Sequence, residues 1–187
     1  MKNKIISLLL NALIFSLFTF YSHSSEQNWQ PAQEGNKIIL IRHAVAPGGG
    51  DPAGFKINDC KTQRNLNRAG INQSKKIGKL FKKNKIPIDQ VFSSQWCRCK
   101  DTAKYAFGNY KEFTALNSTF QSPYNRNEAK QLKELYSLVK KWDGKGKNLV
   151  LITHYSIITA ATNAVPSSGE IVITDKNFKV ISTISTD

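Results

Sequence analysis

The sequence predicts an α/β fold, a three-layer sandwich in which helices flank a mostly parallel central sheet with an antiparallel hairpin at its edge. Two apolar runs, KIILIRH from Lys37 and NLVLITH from Asn148, show no polar alternation. Such runs are typical of strands buried on both faces of a parallel sheet. Amphipathic stretches with helical period separate them. The final segments GEIVITD and FKVISTIS predict the edge hairpin.

The elements between the two runs follow from caps, apolar spacing and breakers. The segment APGGGDPAG after the first run is dense in Gly and Pro and predicts a loop. Asn67 can cap a helix that we expect to end near Asn84, with apolar residues on one side, namely Ile71, Ile77, Leu80 and Phe81. The remaining predictions are a strand over 90–93, a turn and helix over SSQWCRCKDTAKYAF, a strand over 112–116, a helix over 127–142 and a helix over SIITAATNA.

The first 24 residues predict a signal peptide. Lys2 and Lys4 precede an uncharged apolar run from Ile5 to Phe20, and small polar residues up to Ser24 offer a cleavage site. Export would place the protein in the periplasm or outside the cell. The alternative is a permanent membrane anchor, because a run of about sixteen residues lies at the short limit for spanning a bilayer.

The rest of the chain predicts a short polar leader over residues 25–36 and one domain over 37–187. No later stretch is long and apolar enough to cross a membrane, so we expect no stable span once the signal is cleaved. The sequence carries no information on oligomeric state.

The chain has a formal net charge of +14, mostly from lysine. Such a charge attracts anions, so we expect a phosphorylated small molecule or glycan as partner. The alternative is a solvated basic surface that only maintains solubility. Nucleic acid is disfavoured as a partner because the sequence has no recognised motif for it and no aromatic residues interleaved with the basic ones.

Three cysteines, Cys60, Cys97 and Cys99, predict one disulfide and one free thiol in an exported protein. Cys97 and Cys99 are too close along the backbone to pair well, which favours Cys60 with one of them. The spacing has no metal-binding signature, and we expect neither a metal nor another cofactor.

Basic side chains follow two of the predicted strands. Arg42 and His43 end the first apolar run, His154 ends the second, and Arg98 lies in the first turn of the helix that follows Ser94. Ligands of such sheets bind outside the carboxyl ends of the strands. Arginine offers forked donors to a phosphoryl dianion, and a helix N-terminus adds its own attraction for an anion. Each residue alone would be structural, but together they predict a phosphoryl-binding site.

Four motifs in order resemble the histidine phosphatase superfamily, the group related to phosphoglycerate mutases. They are IILIRHA, RNLNRAGINQSKKIG, VFSSQWCRCKDTA and LVLITHYSII, which cover nearly all of residues 37–187. The resemblance implies a catalytic domain in which His43 is the nucleophile and forms a phosphohistidine that water hydrolyses. Arg42 and Arg98 would neutralise the phosphoryl oxygens, and His154 would complete the pocket without a metal.

Two departures from the family pattern matter. Ala44 stands where the family usually has glycine after the histidine, which we expect to be tolerated. A carboxylate that protonates the leaving oxygen is absent from its usual positions, since Tyr155 follows His154 and the segment 117–126 contains no Asp or Glu. The remaining candidates are Asp51, Asp59, Glu128 and Glu170.

Asp51 is the preferred proton donor because its glycine-rich loop leaves the nucleophile directly. The alternative for Asp51 is a turn residue before Pro52. Without any acid, the site would favour leaving groups that need little protonation, such as acyl phosphates, phosphoramidates or sugar phosphates with good leaving groups.

The sequence therefore predicts a phosphoric monoester hydrolase, independent of metal, that acts on a small or envelope-linked phosphorylated sugar. A phospho-ligand-binding protein with impaired catalysis is one alternative, motivated by the missing acid. A phosphohistidine phosphatase is another, favoured by the small size of the domain and disfavoured by the predicted export. Mutase activity is disfavoured because the short chain leaves few insertions to retain an intermediate.

Overall fold

The computed structural model describes residues 29–187, and the predicted signal peptide lies outside the described residues. Within this range, one six-stranded sheet has the order β3-β2-β4-β1-β5-β6. The strands are β1 (Ile38–Arg42), β2 (Ile88–Ser93), β3 (Lys111–Glu112), β4 (Asn148–Thr153), β5 (Ile171–Thr174) and β6 (Val180–Ile184).

The sheet is mostly parallel with an antiparallel hairpin at one edge, as predicted. Strands β1 to β4 run parallel to their neighbours among themselves, whereas β5 is antiparallel to β1 and β6 is antiparallel to β5.

Helices cover both faces of this sheet. They are α1 (Gln30–Gln33), α2 (Arg68–Lys83), α3 (Cys97–Phe107), α4 (Glu128–Lys141) and α5 (Tyr155–Thr162). Ile39 of β1 packs in the core cluster that contains Ile77 of α2, whereas Leu40 packs in the opposite cluster with Leu135 of α4. All four side chains are fully buried, and each contributes about 1.5–3 kcal/mol by leaving water. The three-layer prediction is therefore confirmed.

The strand predicted over 112–116 is wrong in most of its length. Strand β3 ends at Glu112, and Thr114–Leu116 forms a 3-10 turn. The successive side chains of Ala115 and Leu116 both enter the same core cluster. A strand would send them to opposite faces, so the turn is the conformation that buries both.

The polar leader is packed on the domain over its described part. Trp29 is 5% exposed and meets the ring of Phe81 edge to face at 5.4 Å. The Ala32 carbonyl accepts a hydrogen bond from the side chain of Asn148 at 2.7 Å. No helix among residues 29–187 has the length and apolar character needed to span a bilayer.

Helix α2 begins as predicted at an Asn67 cap, whose side chain accepts a hydrogen bond from Gly70 N at 2.9 Å. A side chain at Gly70 would collide with the carbonyl of Val45. The glycine therefore lets α2 lie directly against the loop that leaves β1, and Gln73 on the same helix accepts the Val45 N–H at 3.0 Å. These contacts fix the first residues after the nucleophile candidate.

Candidate active site

The two predicted histidines meet at the carboxyl edge of the sheet. Arg42 is the register partner of Thr153 in the parallel pair β1 and β4, so His43 and His154 leave the sheet side by side. Their ring centroids lie 5.3 Å apart, and each residue is only 3% exposed. The structure thus brings together the residues that the sequence placed on separate strands.

Arg98 contacts both histidine rings. It is the second residue of α3 and is 2% exposed. Its Nε donates to His43 Nε2 at 3.2 Å, and its Nη2 lies 3.4 Å from His154 Nδ1. A buried guanidinium therefore lies between the two imidazole rings.

The His43 ring is held as a neutral nucleophile. Its Nδ1 lies 2.8 Å from the Ala44 carbonyl, an acceptor only, so Nδ1 carries the proton and Nε2 keeps its lone pair. Burial, and after it the charge of Arg98, lowers the His43 pKa well below its ordinary value. Ala44 fits the buried position, where its N–H donates to Thr102 Oγ1 at 3.0 Å.

His154 is oriented by a hydrogen-bond chain that the sequence analysis missed. Its Nε2 lies 3.0 Å from Ser94 Oγ, and this hydroxyl donates to Asn117 Oδ1 at 3.1 Å. The hydroxyl therefore accepts from Nε2 and leaves Nδ1 facing Arg98. Burial first, then Arg98 and His43, lowers the His154 pKa well below its ordinary value. Ser94 directly follows β2 and therefore lies at the same sheet edge as the histidines. This position could have indicated its role from the sequence.

Arg42 has an unused donor. Its Nη1 donates to the Pro166 carbonyl at 2.8 Å, and the guanidinium lies 5.6 Å from the centre of the Tyr155 ring. Its Nε is buried and has no hydrogen-bond partner among the described residues. Because an unpaired buried donor is unfavourable, an anion that enters here would gain from pairing with it.

Asp51 lies in the site but is held as a carboxylate. Its Oδ1 accepts from Arg98 Nη1 at 2.7 Å, and its Oδ2 accepts from Arg98 Nη2 at 3.2 Å. Trp96 Nε1 also donates to Oδ2 at 2.9 Å. Burial raises the pKa of Asp51, but the bonds and charge of Arg98 and the Trp96 bond outweigh it, so the pKa is lowered. In this arrangement Asp51 carries no proton to donate.

The other carboxylate candidates lie outside the site. Asp59 accepts from the backbone of Lys61 at 3.0 Å and caps a short 3-10 turn. Glu128 accepts from the Thr119 hydroxyl at 2.9 Å. Glu170 accepts a backbone N–H three residues earlier at 2.7 Å. None of these three lines the cavity that contains the histidines.

The glycine-rich loop is tied to the site by Arg64 and by a disulfide. Arg64 Nε donates to the Gly50 carbonyl at 2.8 Å, and its Nη1 donates to the Ala46 carbonyl. Cys60 is bonded to Cys97 at the start of α3. The predicted pairing of Cys60 with one of the two later cysteines is confirmed, and the loop that carries Asp51 is fastened to the helix that carries Arg98.

Cys99 is the free thiol among the described cysteines. It is fully buried, and its Sγ lies 3.3 Å from His154 Nε2. Burial raises the pKa of the thiol to about 12. The thiol is therefore neutral and packs against the His154 ring.

A small cavity of about 110 Å³ opens between these side chains. It is lined by Arg42, His43, Gly48, Gly49, Gly50, Asp51, Arg64, Arg98, Ser118, Phe120, His154 and Tyr155. All five predicted site residues are in this lining, together with two aromatic residues that the sequence analysis did not assign. No cluster of residues suited to a metal ion occurs in the part of the chain that the structure describes.

The two neutral histidines predict a loss of stability in mild acid. Both folded-state pKa values lie below the ordinary value of 6.5, so below pH 6.5 the unfolded chain binds more protons than the folded one. Stability is then full above pH 6.5 and falls as the pH drops towards the folded pKa values, by about 1.4 kcal/mol per pH unit for each histidine.

Denaturant unfolding at pH 7.5, 6.0 and 5.0 measures this slope. The ion pair of Asp51 does not contribute to the pH dependence of stability in this range. Because the pKa of Asp51 is lowered, the pair affects stability only at pH values below about 3.8. The variant His154→Asn should show about half of the slope. Equal stability at pH 7.5 and 5.0 in the unmodified protein would contradict neutral burial of both rings.

Solved structures share this fold at low sequence identity. The protein histidine phosphatase SixA complexed with tungstate has a TM-score of 0.54 and 13% identity, over 80% of this chain and 97% of that one. The protein TTHB049 from Thermus thermophilus has a TM-score of 0.56 and 16% identity, over 81% and 99%. A phosphoserine phosphatase mutant from Entamoeba histolytica, in complex with phosphoserine, has a TM-score of 0.56 and 16% identity, over 81% and 98%.

The sheet order defines an α/β fold with histidine and arginine side chains at its carboxyl edge. Residues 38–119, which contain β1, α2 and α3, match the model of the histidine phosphatase superfamily, branch 1. This match covers less than half of the chain. A search of the curated proteins finds no significant match.

Proposed function

We propose that the protein hydrolyses phosphomonoesters through a phosphohistidine on His43. The observation that carries the proposal is the neutral His43 ring, with its unprotonated Nε2 beside the buried guanidinium of Arg98. Arg42 adds a second arginine to the binding site for the phosphoryl oxygens, and His154 lines the same cavity. A phosphoryl group that enters must displace the weak contact between Arg98 Nε and His43 Nε2, which frees the lone pair for attack.

The reaction divides into two displacements. In the first, the Nε2 lone pair forms a bond to phosphorus, and the ester P–O bond breaks with its electron pair on the leaving oxygen. In the second, water attacks the phosphohistidine, the N–P bond breaks towards Nε2, and inorganic phosphate is released. The two arginines neutralise the phosphoryl charge in a buried site, where such stabilisation is strong.

Trapping of the intermediate tests this function. Rapid acid-free quenching of the protein with a labelled phosphomonoester should leave one acid-labile, base-stable phosphate on the chain, and His43→Asn should leave none. A protein that turns over substrate without any such label, or a label that persists in the variant, would exclude His43 as the nucleophile.

We further propose Asp51 as the proton donor, acting after substrate has replaced it on Arg98. The carboxylate now occupies both Nη groups of that arginine. A phosphoryl dianion that takes over these donors leaves Asp51 without its partner and next to negative charge, and both changes raise a carboxyl pKa. The proton is then taken up with substrate and delivered to the leaving oxygen.

The variant Asp51→Asn should separate binding from proton transfer. Inorganic phosphate should bind about tenfold more tightly, because the competing charge on Arg98 is gone. Turnover of an alkyl phosphate should fall by about 10² or more if Asp51 supplies the proton. Calorimetry and steady-state kinetics measure the two effects. If kcat for the alkyl ester were unchanged, Asp51 would not be the proton donor and would only compete with phosphate for Arg98.

For the substrate and location, we propose a phosphorylated sugar or envelope glycan in the periplasm or outside the cell. The lysine excess and the apolar N-terminal run support this. A panel of phosphorylated metabolites and envelope sugars tests the substrate. Fractionation of cells that express the full chain, with N-terminal sequencing of the product, tests the export and distinguishes cleavage from anchoring.

A phosphohistidine phosphatase is the second candidate function. The similarity in fold to the protein histidine phosphatase SixA favours it, although the identity is only 13%. A phosphohistidine leaving group also needs less help from an acid than an alkoxide does. Comparing kcat/KM for a phosphohistidine peptide and for phosphomonoesters decides between the two. Phosphate binding without turnover of either class would indicate a phospho-ligand-binding protein.

A further inference from the structure

An exposed aromatic ring stands at the mouth of the cavity. Phe120 lines the cavity and is 54% exposed. Its ring meets that of Tyr155 edge to face, with centroids 5.6 Å apart, and Tyr155 in turn covers the guanidinium of Arg42. The two rings form a continuous aromatic wall from the phosphoryl-binding arginine to solvent.

The backbone around Phe120 is fixed to the site. The Phe120 N–H donates to Ser118 Oγ at 3.3 Å, and the preceding residue, Thr119, donates to Ser156 Oγ on α5 at 3.2 Å. On the other side, Gln121 Oε1 accepts from Asp51 N at 2.9 Å. The exposed ring is therefore part of the site architecture and not the free tip of a loop.

The size of the cavity places the organic part of a substrate on this wall. The cavity measures about 110 Å³ and is lined by the two histidines and by three arginines. That volume accommodates the phosphoryl group and little else. The group esterified to it must lie at the mouth, where the exposed part of the Phe120 side chain is available for contact.

We propose that the site takes phosphomonoesters of aromatic alcohols, with the leaving ring packed against Phe120. This inference rests on the proposed phosphatase function and names an aromatic ester as its substrate, as an alternative to a phosphorylated sugar. Offset or edge-to-face contact with Phe120 favours a planar ring over a saturated one. When the P–O bond breaks, its electron pair stays on a phenolate oxygen, which leaves with less protonation than an alkoxide. Such a substrate does not require Asp51 to acquire a proton.

Binding of two phosphonates tests the inference without turnover. Benzylphosphonate and cyclohexylmethylphosphonate carry a CH₂ in place of the ester oxygen and differ only in the ring. By calorimetry the protein should bind the aromatic compound about 3 to 10 times more tightly. Phe120→Leu should lose this preference and Phe120→Trp should keep it. Tyr105→Leu, which removes an aromatic ring 40% exposed outside the cavity lining, is the matched control.

The results separate the two proposals. An equal preference in the unmodified protein and in Phe120→Leu, or a preference for the cyclohexyl compound, would overturn the aromatic assignment. Failure to trap a phosphohistidine would overturn the proposed function. The comparison of the two phosphonates would still be valid, because calorimetry does not depend on catalysis. Loss of the preference in Tyr105→Leu as well would also overturn the role of Phe120.

Discussion

Replacing His43 with alanine should lower kcat on any phosphomonoester by about 10⁵-fold, the scale expected when a covalent nucleophile is removed. Neither Cys99 nor His154 is suited to replace His43 as the nucleophile. Cys99 is buried, and burial keeps its thiol protonated by raising its pKa to about 12. The other ring, His154, is held by Ser94 at 3.0 Å with Nδ1 on Arg98.

The expected loss comes from chemistry and not from folding. His43→Gln is the companion variant, since it keeps a polar group in the buried position. Inorganic phosphate should still bind both variants through Arg42 and Arg98, with an affinity within about tenfold of the unmodified protein. A His43→Ala protein that retains more than a few per cent of kcat, with phosphate binding intact, would show that water attacks phosphorus directly.

The parts of this site that follow from local pattern could be predicted from the sequence. Uninterrupted apolar runs specify buried parallel strands, and parallel strands carry the residues that follow them to one edge. Arg42, His43 and His154 were located by this reasoning alone. Arg98 required only the expectation that a helix begins just after β2, and the structure starts α3 at Cys97.

Contacts between residues distant in sequence could not be predicted. The bond from Asp51 to Arg98 joins positions separated by 47 residues, and no spacing rule connects a glycine-rich loop to the first turn of a helix. The sequence therefore indicated Asp51 as an acid but carried no sign that its charge would be neutralised by Arg98. The aromatic wall was missed for the same reason, since Phe120 and Tyr155 meet only through the fold.

Replacing Arg98 with alanine should damage both activity and stability. For activity, the loss of a forked donor to the transferring phosphoryl group should lower kcat/KM by about 10³-fold. For stability, the change leaves the carboxylate of Asp51, with a side chain only 4% exposed, without its ionic partner. Removal of one member of a buried pair costs about 3–5 kcal/mol. Kinetics and denaturant unfolding measure the two losses.

A second substitution distinguishes these two roles of Arg98. The double variant Arg98→Ala with Asp51→Asn removes the stranded charge, so it should regain at least half of the lost stability while its activity stays low. Arg98→Lys keeps the positive charge but lacks the forked N–H donors of the guanidinium. Its kcat/KM should lie between that of Arg98→Ala and that of the unmodified protein. If the double variant were as unstable as Arg98→Ala, packing of the guanidinium and not its pairing with Asp51 would account for the stability. The same arginine links the loop that carries Asp51 to α3, and the proposed reaction requires the phosphoryl group to replace that carboxylate on Arg98.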